Sequence, residues 1–200
     1  MSDPLSSASL DQIFISARTL GTWQDKDVPE RLIKDVYDLM KFGPTSANCC
    51  PARFVFVGSD DAKARLVPLM DEGNREKTQK APWTVIIAHD LEFHQKLDEL
   101  FPHNLDAKNW FKDPMKRAET AFRNGTLQGA YLMMAARAMG LDCGPMSGFD
   151  RVGVDKEFFQ SEPETENWTA NFICNLGYGD ESMLFPRSPR LKFEDACKVL

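Results

Sequence analysis

The segment from about Pro114 to Met139 constrains the fold more than any other part of the chain. It carries an uninterrupted helical pattern rich in Ala, Met and Leu, and Gly140 stands where a left-handed C-cap stops a helix. Its C-terminal part, AYLMMAARAM (Ala130 to Met139), is apolar on more than one face. A helix on the surface of a monomer needs only one apolar stripe. The segment is therefore either the central helix of a monomer core or a helix that packs one face on its own core and another on a second subunit.

The rest of the chain alternates helix-like and strand-like segments around it. Leu10, Ile13, Phe14 and Ala17 recur at helical spacing. A second helix is predicted from Pro29 to about Phe42, with Leu32, Ile33, Val36, Leu39 and Met40 as its stripe and Gly43-Pro44 as its stop. FVFV (Phe54 to Val57) reads as a short buried strand, and a helix follows around Asp60 to Met70. WTVIIAH (Trp83 to His89) and TANFICNLGYG (Thr169 to Gly179) are the other two strands. No period survives from about Glu92 to Trp110. Strands this far apart, with no internal repeat, indicate one α+β or α/β domain over residues 1–200.

Composition bears on partners. Lys+Arg 24 against Asp+Glu 30 leaves a net charge of −6, which argues against nucleic acid or an anionic membrane surface as the main partner. It leaves room for a few arginines on one small anion. No stretch has the apolar length of a bilayer span, and MSDPLSSASLDQ has no basic-then-apolar secretory pattern. The five cysteines (Cys49, Cys50, Cys143, Cys174 and Cys197) are odd in number and include an adjacent pair, which reads as reduced thiols in the cytoplasm. No CxxC occurs, and His89, His94 and His103 stand apart from the cysteines, so no metal site is expected.

Four segments combine unusual backbone chemistry with polar groups. PTSANCCPAR (Pro44 to Arg53) offers Thr45, Ser46 and Asn48 between two prolines; it is either a polar-ligand loop or a plain helix-to-strand connection. GNREKTQKAP (Gly73 to Pro82) brings Asn74 and Lys77 ahead of a buried strand, and taken alone reads as a solvated helix turn. GLDCGPMSGFD (Gly140 to Asp150) is a Gly-rich connection whose Pro145, Met146, Ser147 and Gly148 can hold backbone close to a flat or charged group. Arg18 near the start and Arg187 and Arg190 in RSPR near the end form a phosphate clamp only if the termini fold together. Neither GxGxxG nor GxxxxGK[ST] occurs, so a Rossmann site and a P-loop are unsupported.

In their joint order these segments resemble the FMN-dependent nitroreductase family. The carrying features are the N-terminal helix with Arg18, then PTSAN, then Asn74-x-x-Lys77, then GLDCGPMSGFD, then the basic tail ending in Arg190-Leu191. The strings FGPTSANCCPAR, TAFRNGTLQ and GPMSGFDR resemble most the branch of malonic semialdehyde reductases in pyrimidine degradation. The resemblance implies an α+β fold, a central mixed sheet flanked by helices, in a homodimer with a long interface helix and FMN at the subunit interface. By the same match Arg18, Arg187 and Arg190 hold the FMN phosphate, with Thr19 offering a hydroxyl where the family often has a further basic residue. Thr45, Ser46 and Asn48 line the flavin and its ribityl chain, Asn74 and Lys77 its pyrimidine edge, Pro145 and Met146 its ring face, and Ser147 and Gly148 its N5.

A lysine and an amide at the pyrimidine edge stabilise the negative charge that a reduced flavin gathers there. The implied activity is hydride transfer from NADH or NADPH through FMN to a small carbonyl compound, malonic semialdehyde to 3-hydroxypropionate, with Lys77, Ser147 and Gly148 in the catalytic set. Ser147 stands where nitro-reducing members often have Glu, and a hydroxyl repels a carboxylated substrate less. Three alternatives stay open: a broad nitroarene or quinone reductase, a flavin-binding protein without turnover, and a thiol enzyme built on Cys49, Cys50 or Cys143.

Overall fold

The computed structural model describes residues 3–200. Its strands are β1 (Ala52–Val57), β2 (Trp83–Asp90), β3 (Asp142–Met146) and β4 (Trp168–Gly177), joined in the order β1-β2-β4-β3. Each of the three strand pairs is antiparallel. The parallel component of the expected mixed sheet narrows to an isolated bridge between Thr19 and Cys143. The helices are α1 (Ser7–Leu10), α2 (Glu30–Met40), α3 (Asp60–Leu66), α4 (Glu72–Lys80), α5 (Leu97–Leu100), α6 (Pro114–Ala138), α7 (Arg151–Phe158) and α8 (Phe193–Ala196).

Helices cover both faces of the sheet, and this explains the unbroken apolar run of β2. Val85 and Ile87 point into one core with Val36 of α2 and Leu132 and Ala136 of α6. Ile86 and Ala88 point into the other, with Leu66 of α3 and Val154 of α7. All four β2 residues are fully buried. At about 25 cal/mol per Å² of apolar surface, the Val85, Ile86 and Ile87 side chains contribute roughly 1.5–3 kcal/mol each.

The long helix matches its prediction. Asp113 caps it by accepting from Met115 N at 2.8 Å, Pro114 fills its first turn, and Gly140 takes a φ of 82° beyond its end. One face, with Ala121, Leu132, Ala135 and Ala136, is buried, whereas Phe122 and Leu127 remain exposed.

Three local readings change. Asp142–Met146, expected as part of a loop, is an edge strand, which tolerates Pro145 because β4 is the one strand paired with it and the further bridge from Thr19 falls at Cys143. The helix expected to reach Met70 stops at Leu66 and continues as a 3₁₀ turn, Val67–Leu69, since Pro68 has no N–H to donate. Helix α7 follows the Gly-rich segment unpredicted, although Asp150 caps it in the ordinary way, accepting from Gly153 N at 3.0 Å. The stretch without a period resolves into short turns around a satellite core of Cys49, Phe93, Leu97, Ala107, Phe111 and Ala121.

Candidate active site

The termini do fold together. Leu20 N donates to Cys143 O (3.0 Å), Gln24 N to Tyr178 O (2.9 Å) and Asp180 N to Thr22 O (3.0 Å), so residues 20–24 lie along the β3–β4 edge. Arg18 Nη2 then reaches Phe185 O at 2.7 Å, and Arg187 Nη2 reaches Ala17 O at 3.2 Å. Between these segments opens a cavity of about 600 Å³ lined by Phe14, Ile15, Ala17, Arg18, Thr19, Arg137, Arg187, Ser188 and Arg190.

Four guanidinium groups and no carboxylate line that cavity. Their mutual repulsion is uncompensated by protein charge, so the site favours an anion with several acceptor oxygens. Arg137 was not among the sequence candidates. It comes from the last turn of α6, where Nη1 donates to Ile13 O at 3.1 Å and the buried Nε has no protein partner. Its one sequence signal is a lone charge inside the apolar run AYLMMAARAM.

Next to the arginines lie the α4 and β3 residues. The stem of Lys77 runs beside Gly21, its Cδ 3.5 Å from where a Cβ on that glycine would sit. Asn74 Nδ2 donates to Gly148 O at 2.7 Å, and Asp71 N to the same carbonyl at 3.1 Å. A Cβ on Gly148 would stand 2.6 Å from Asp71 Oδ2 and 2.7 Å from Asn74 Nδ2, so only glycine fits this approach. Ser147 is exposed beside it. Met146, expected against the ring face, has its side chain in the core. It is buried, with its sulfur 3.9 Å from Thr78 Oγ1 and 4.0 Å from Asn175 Nδ2, because successive β3 side chains face opposite sides of a sheet covered on both, which puts Cys143 in one core and Met146 in the other.

Thr45, Ser46 and Asn48 occupy a different place. Their loop precedes β1 on the opposite sheet edge from β3, with β2 and β4 between. Three strand spacings of ~4.8 Å put the two edges about 14 Å apart. One protomer therefore does not bring this loop to Pro145–Gly148. Helix α6 holds the loop: Asn124 Oδ1 accepts from Ser46 N (2.9 Å), Gln128 Oε1 from Ala52 N (2.8 Å), and Tyr131 OH donates to Pro44 O (2.9 Å). Asn48 Nδ2 donates to Leu100 O at 2.8 Å, and Cys50 N to Thr45 Oγ1 at 3.2 Å. Ala47, Asn48 and Cys50 take φ values of 50°, 48° and 37°. Such left-handed backbone at non-glycine residues persists only where surroundings hold it, and it concentrates at functional loops.

The cysteines lack the partners a nucleophile needs. Cys49, Cys143 and Cys174 are fully buried, and burial pushes the Cys49 thiol up to about 12. The hydrogen-bond partners of Cys50, Cys143 and Cys174 are Thr45, Asn48, Met133 and Asn175, with no histidine among them. A second cavity of about 520 Å³, against α2 and Trp83, contains none of the candidate residues. Among the described residues no helix is long and apolar enough to cross a membrane.

The fold and this edge define a protein of α+β class with an arginine-lined cavity where its terminal segments meet beside β3. The chain belongs to the nitroreductase family, whose model matches residues 18–178. It is 56% identical over 199 residues to a Xanthomonas oryzae protein named "Putative NADH dehydrogenase/NAD(P)H nitroreductase", covering 99% of both chains. A Caulobacter protein of the same name is 53% identical over 196 residues, 98% of each chain. Among solved structures, a Bacillus subtilis nitroreductase superposes with a TM-score of 0.86 at 16% identity, over 98% of this chain and 100% of that one. An Exiguobacterium sibiricum nitroreductase in complex with FMN gives 0.82 at 16% identity, over 100% of both chains. Likeness at that identity establishes the fold.

Proposed function

We propose that the protein is an FMN-dependent NAD(P)H oxidoreductase acting as a homodimer on a small carbonyl substrate, with malonic semialdehyde reduced to 3-hydroxypropionate. The observation that carries the reading is the convergence of four arginines, with no carboxylate in the lining, in one cavity where the two terminal segments meet, from which residues 19–21 run past Cys143 and the stem of Lys77. Arg18, Arg137, Arg187 and Arg190 would hold the phosphate of FMN, with Thr19 beside them. Asn74 and Lys77 would meet its pyrimidine edge, and the Pro145–Gly148 backbone its ring. When bound, FMN supplies hydride transfer between NADH or NADPH and the acceptor.

The chain's own residues supply position and charge. Lys77 carries a cation suited to stabilising negative charge at the pyrimidine edge. Ser147 presents a hydroxyl, neutral toward a carboxylated acceptor. Two features favour a second copy: the separation of Thr45, Ser46 and Asn48 from β3, and a set of exposed apolar side chains. Phe42 is 80% exposed and Phe122 55% on the helical side, and Phe185 is 86% exposed in the tail. Apolar exposure of this kind marks interfaces, and a two-fold partner would carry its Thr45–Asn48 loop to the other protomer's cleft. The five free cysteines suit the reducing cytoplasm.

Purified protein incubated with FMN is expected to retain a flavin spectrum that bleaches anaerobically on NADH or NADPH. A protein that stays colourless overturns the reading, and colour without bleaching favours a binding protein. Steady-state comparison of malonic semialdehyde with a nitroarene then chooses the acceptor. The names of the relatives favour the second reading, a broad nitroarene or quinone reductase, and a higher kcat/KM on the nitroarene would establish it.

A further inference from the structure

Lys63 is buried to 3% exposure and forms no ion pair among the described residues. Its Nζ instead donates three hydrogen bonds: to Thr78 O at 2.6 Å, to Ala81 O at 2.7 Å and to Thr84 Oγ1 at 3.1 Å. Thr78 and Ala81 end α4, the helix that carries Asn74 and Lys77. Carbonyls there have no intrahelical partner and lie at the negative end of the helix dipole, so a cation is favoured at this point. Burial draws the Lys63 pKa down to about 8, opposed by Asp60, which leaves the ammonium charged at neutral pH.

The three bonds extend into a directed relay. An ammonium only donates, so the Thr84 hydroxyl must accept from Lys63 and spend its own proton elsewhere. It donates to Asn175 Oδ1 at 2.7 Å. That fixes the Asn175 amide with its nitrogen outward, where Nδ2 donates to Lys77 O at 3.2 Å. Trp23 Nε1 donates to the same carbonyl at 3.0 Å. Thr84 and Asn175 are fully buried, so water cannot replace either of these two members. The Lys77 main chain is thereby held from below by a chain of bonds that starts at one buried charge.

We propose that Lys63 is a positioning residue for the cofactor site: through the end of α4, and through Thr84 and Asn175, it sets where the Lys77 ammonium stands against the flavin. The proposal rests on the flavin reading above. Lys63 touches none of the cleft residues' side chains and contributes no proton to the reaction.

The test uses full-length Lys63→Met and Thr84→Val, with Thr84→Ser as the conservative control, and FMN as the probe. Dissociation constants for FMN and riboflavin, the two-electron midpoint potential of bound FMN and the thermal unfolding midpoint are measured together. Lys63→Met and Thr84→Val are expected to weaken preference for reduced over oxidised FMN at least tenfold, a potential lower by about 30 mV. Thr84→Ser should keep the wild-type potential, and the FMN-to-riboflavin affinity ratio should stay unchanged in all three. Should Lys63→Met fail to fold, Thr84→Val against Thr84→Ser decides. A folded Thr84→Val with the wild-type potential overturns the proposal, as does a Thr84→Ser that shifts as far as Thr84→Val. A wild-type protein that binds no FMN overturns the flavin reading itself, an outcome visible before any variant is made.

Discussion

Replacing Arg137 by Gln isolates the arginine that sequence reasoning had not offered. Glutamine keeps much of the side-chain length and a similar helix propensity, while removing the charge. In the structure Arg137 donates to Ile13 O at 3.1 Å and shares the 600 Å³ cavity with Arg18, Arg187 and Arg190. A charge-assisted hydrogen bond is worth roughly 1.5–3 kcal/mol. Four guanidinium groups would share one phosphate in a cavity open to solvent, so the lower end applies. About 1.5 kcal/mol corresponds to about a tenfold weaker Kd for FMN.

Loss of a cation from the last turn of α6 also removes ~0.3–1 kcal/mol of helix-dipole stabilisation, to be read separately by thermal unfolding. Flavin fluorescence titration of wild type and Arg137→Gln, with FMN and with riboflavin, at low and high salt, makes the measurement. FMN should weaken about tenfold, riboflavin should not change, and the FMN difference should shrink as salt screens the cavity. An equal loss for both flavins would refute the phosphate role and leave Arg137 as a tie to Ile13. An unchanged FMN affinity would remove it from the site altogether.

Gly148→Ala should lower the unfolding midpoint by an overpacking cost of ~1–3 kcal/mol and weaken FMN binding, since its Cβ would stand 2.7 Å from Asn74 Nδ2 and force Asn74 off the Gly148 carbonyl. His89 is held below its ordinary pKa, chiefly by burial against the pull of Asp155, with its Nδ1 unpartnered. The unfolded chain therefore takes up the proton first. Stability is complete above about pH 6.5 and falls as pH drops through the folded value, so urea midpoints at pH 5 and pH 7 should differ less in His89→Gln than in wild type. Iodoacetamide on the folded protein at pH 8 should label the exposed Cys197 and spare Cys49, Cys143 and Cys174 by mass spectrometry, because those three are buried and the Cys49 thiol is pushed up to about 12.

Much of the fold is local and therefore legible in the chain. The centre of the β2 run, Val85 to Ala88, is apolar at every position because helices cover both faces, and α6 carries its cap and its Pro at one end and a Gly just past the other. The failures were also physical. Strand β3 contains two helix- and strand-weakening residues, Gly144 and Pro145, and owes its conformation to pairing with β4. Within the site, the segments bearing Arg18, Asn74, Lys77, Gly148 and Arg187 were legible as polar interruptions of an apolar pattern. The burial of the Met146 side chain was not legible, because the strand geometry that turns it inward is invisible while the segment reads as a loop.

By itself the sequence determined most of the elements, though not β3 or α7, together with the family and which short segments carry chemistry, since propensity, capping and spacing are properties of neighbouring residues. Only the tertiary structure decided which of those segments meet. It joined Arg18 to a tail 167 residues away and recruited Arg137 from the end of an apolar helix. It buried the Lys63 ammonium under α4, and it set the Thr45–Asn48 loop across the sheet from Gly148. Convergence of charge and the direction of a buried hydrogen-bond relay arise from contacts between distant segments, and no local pattern records them.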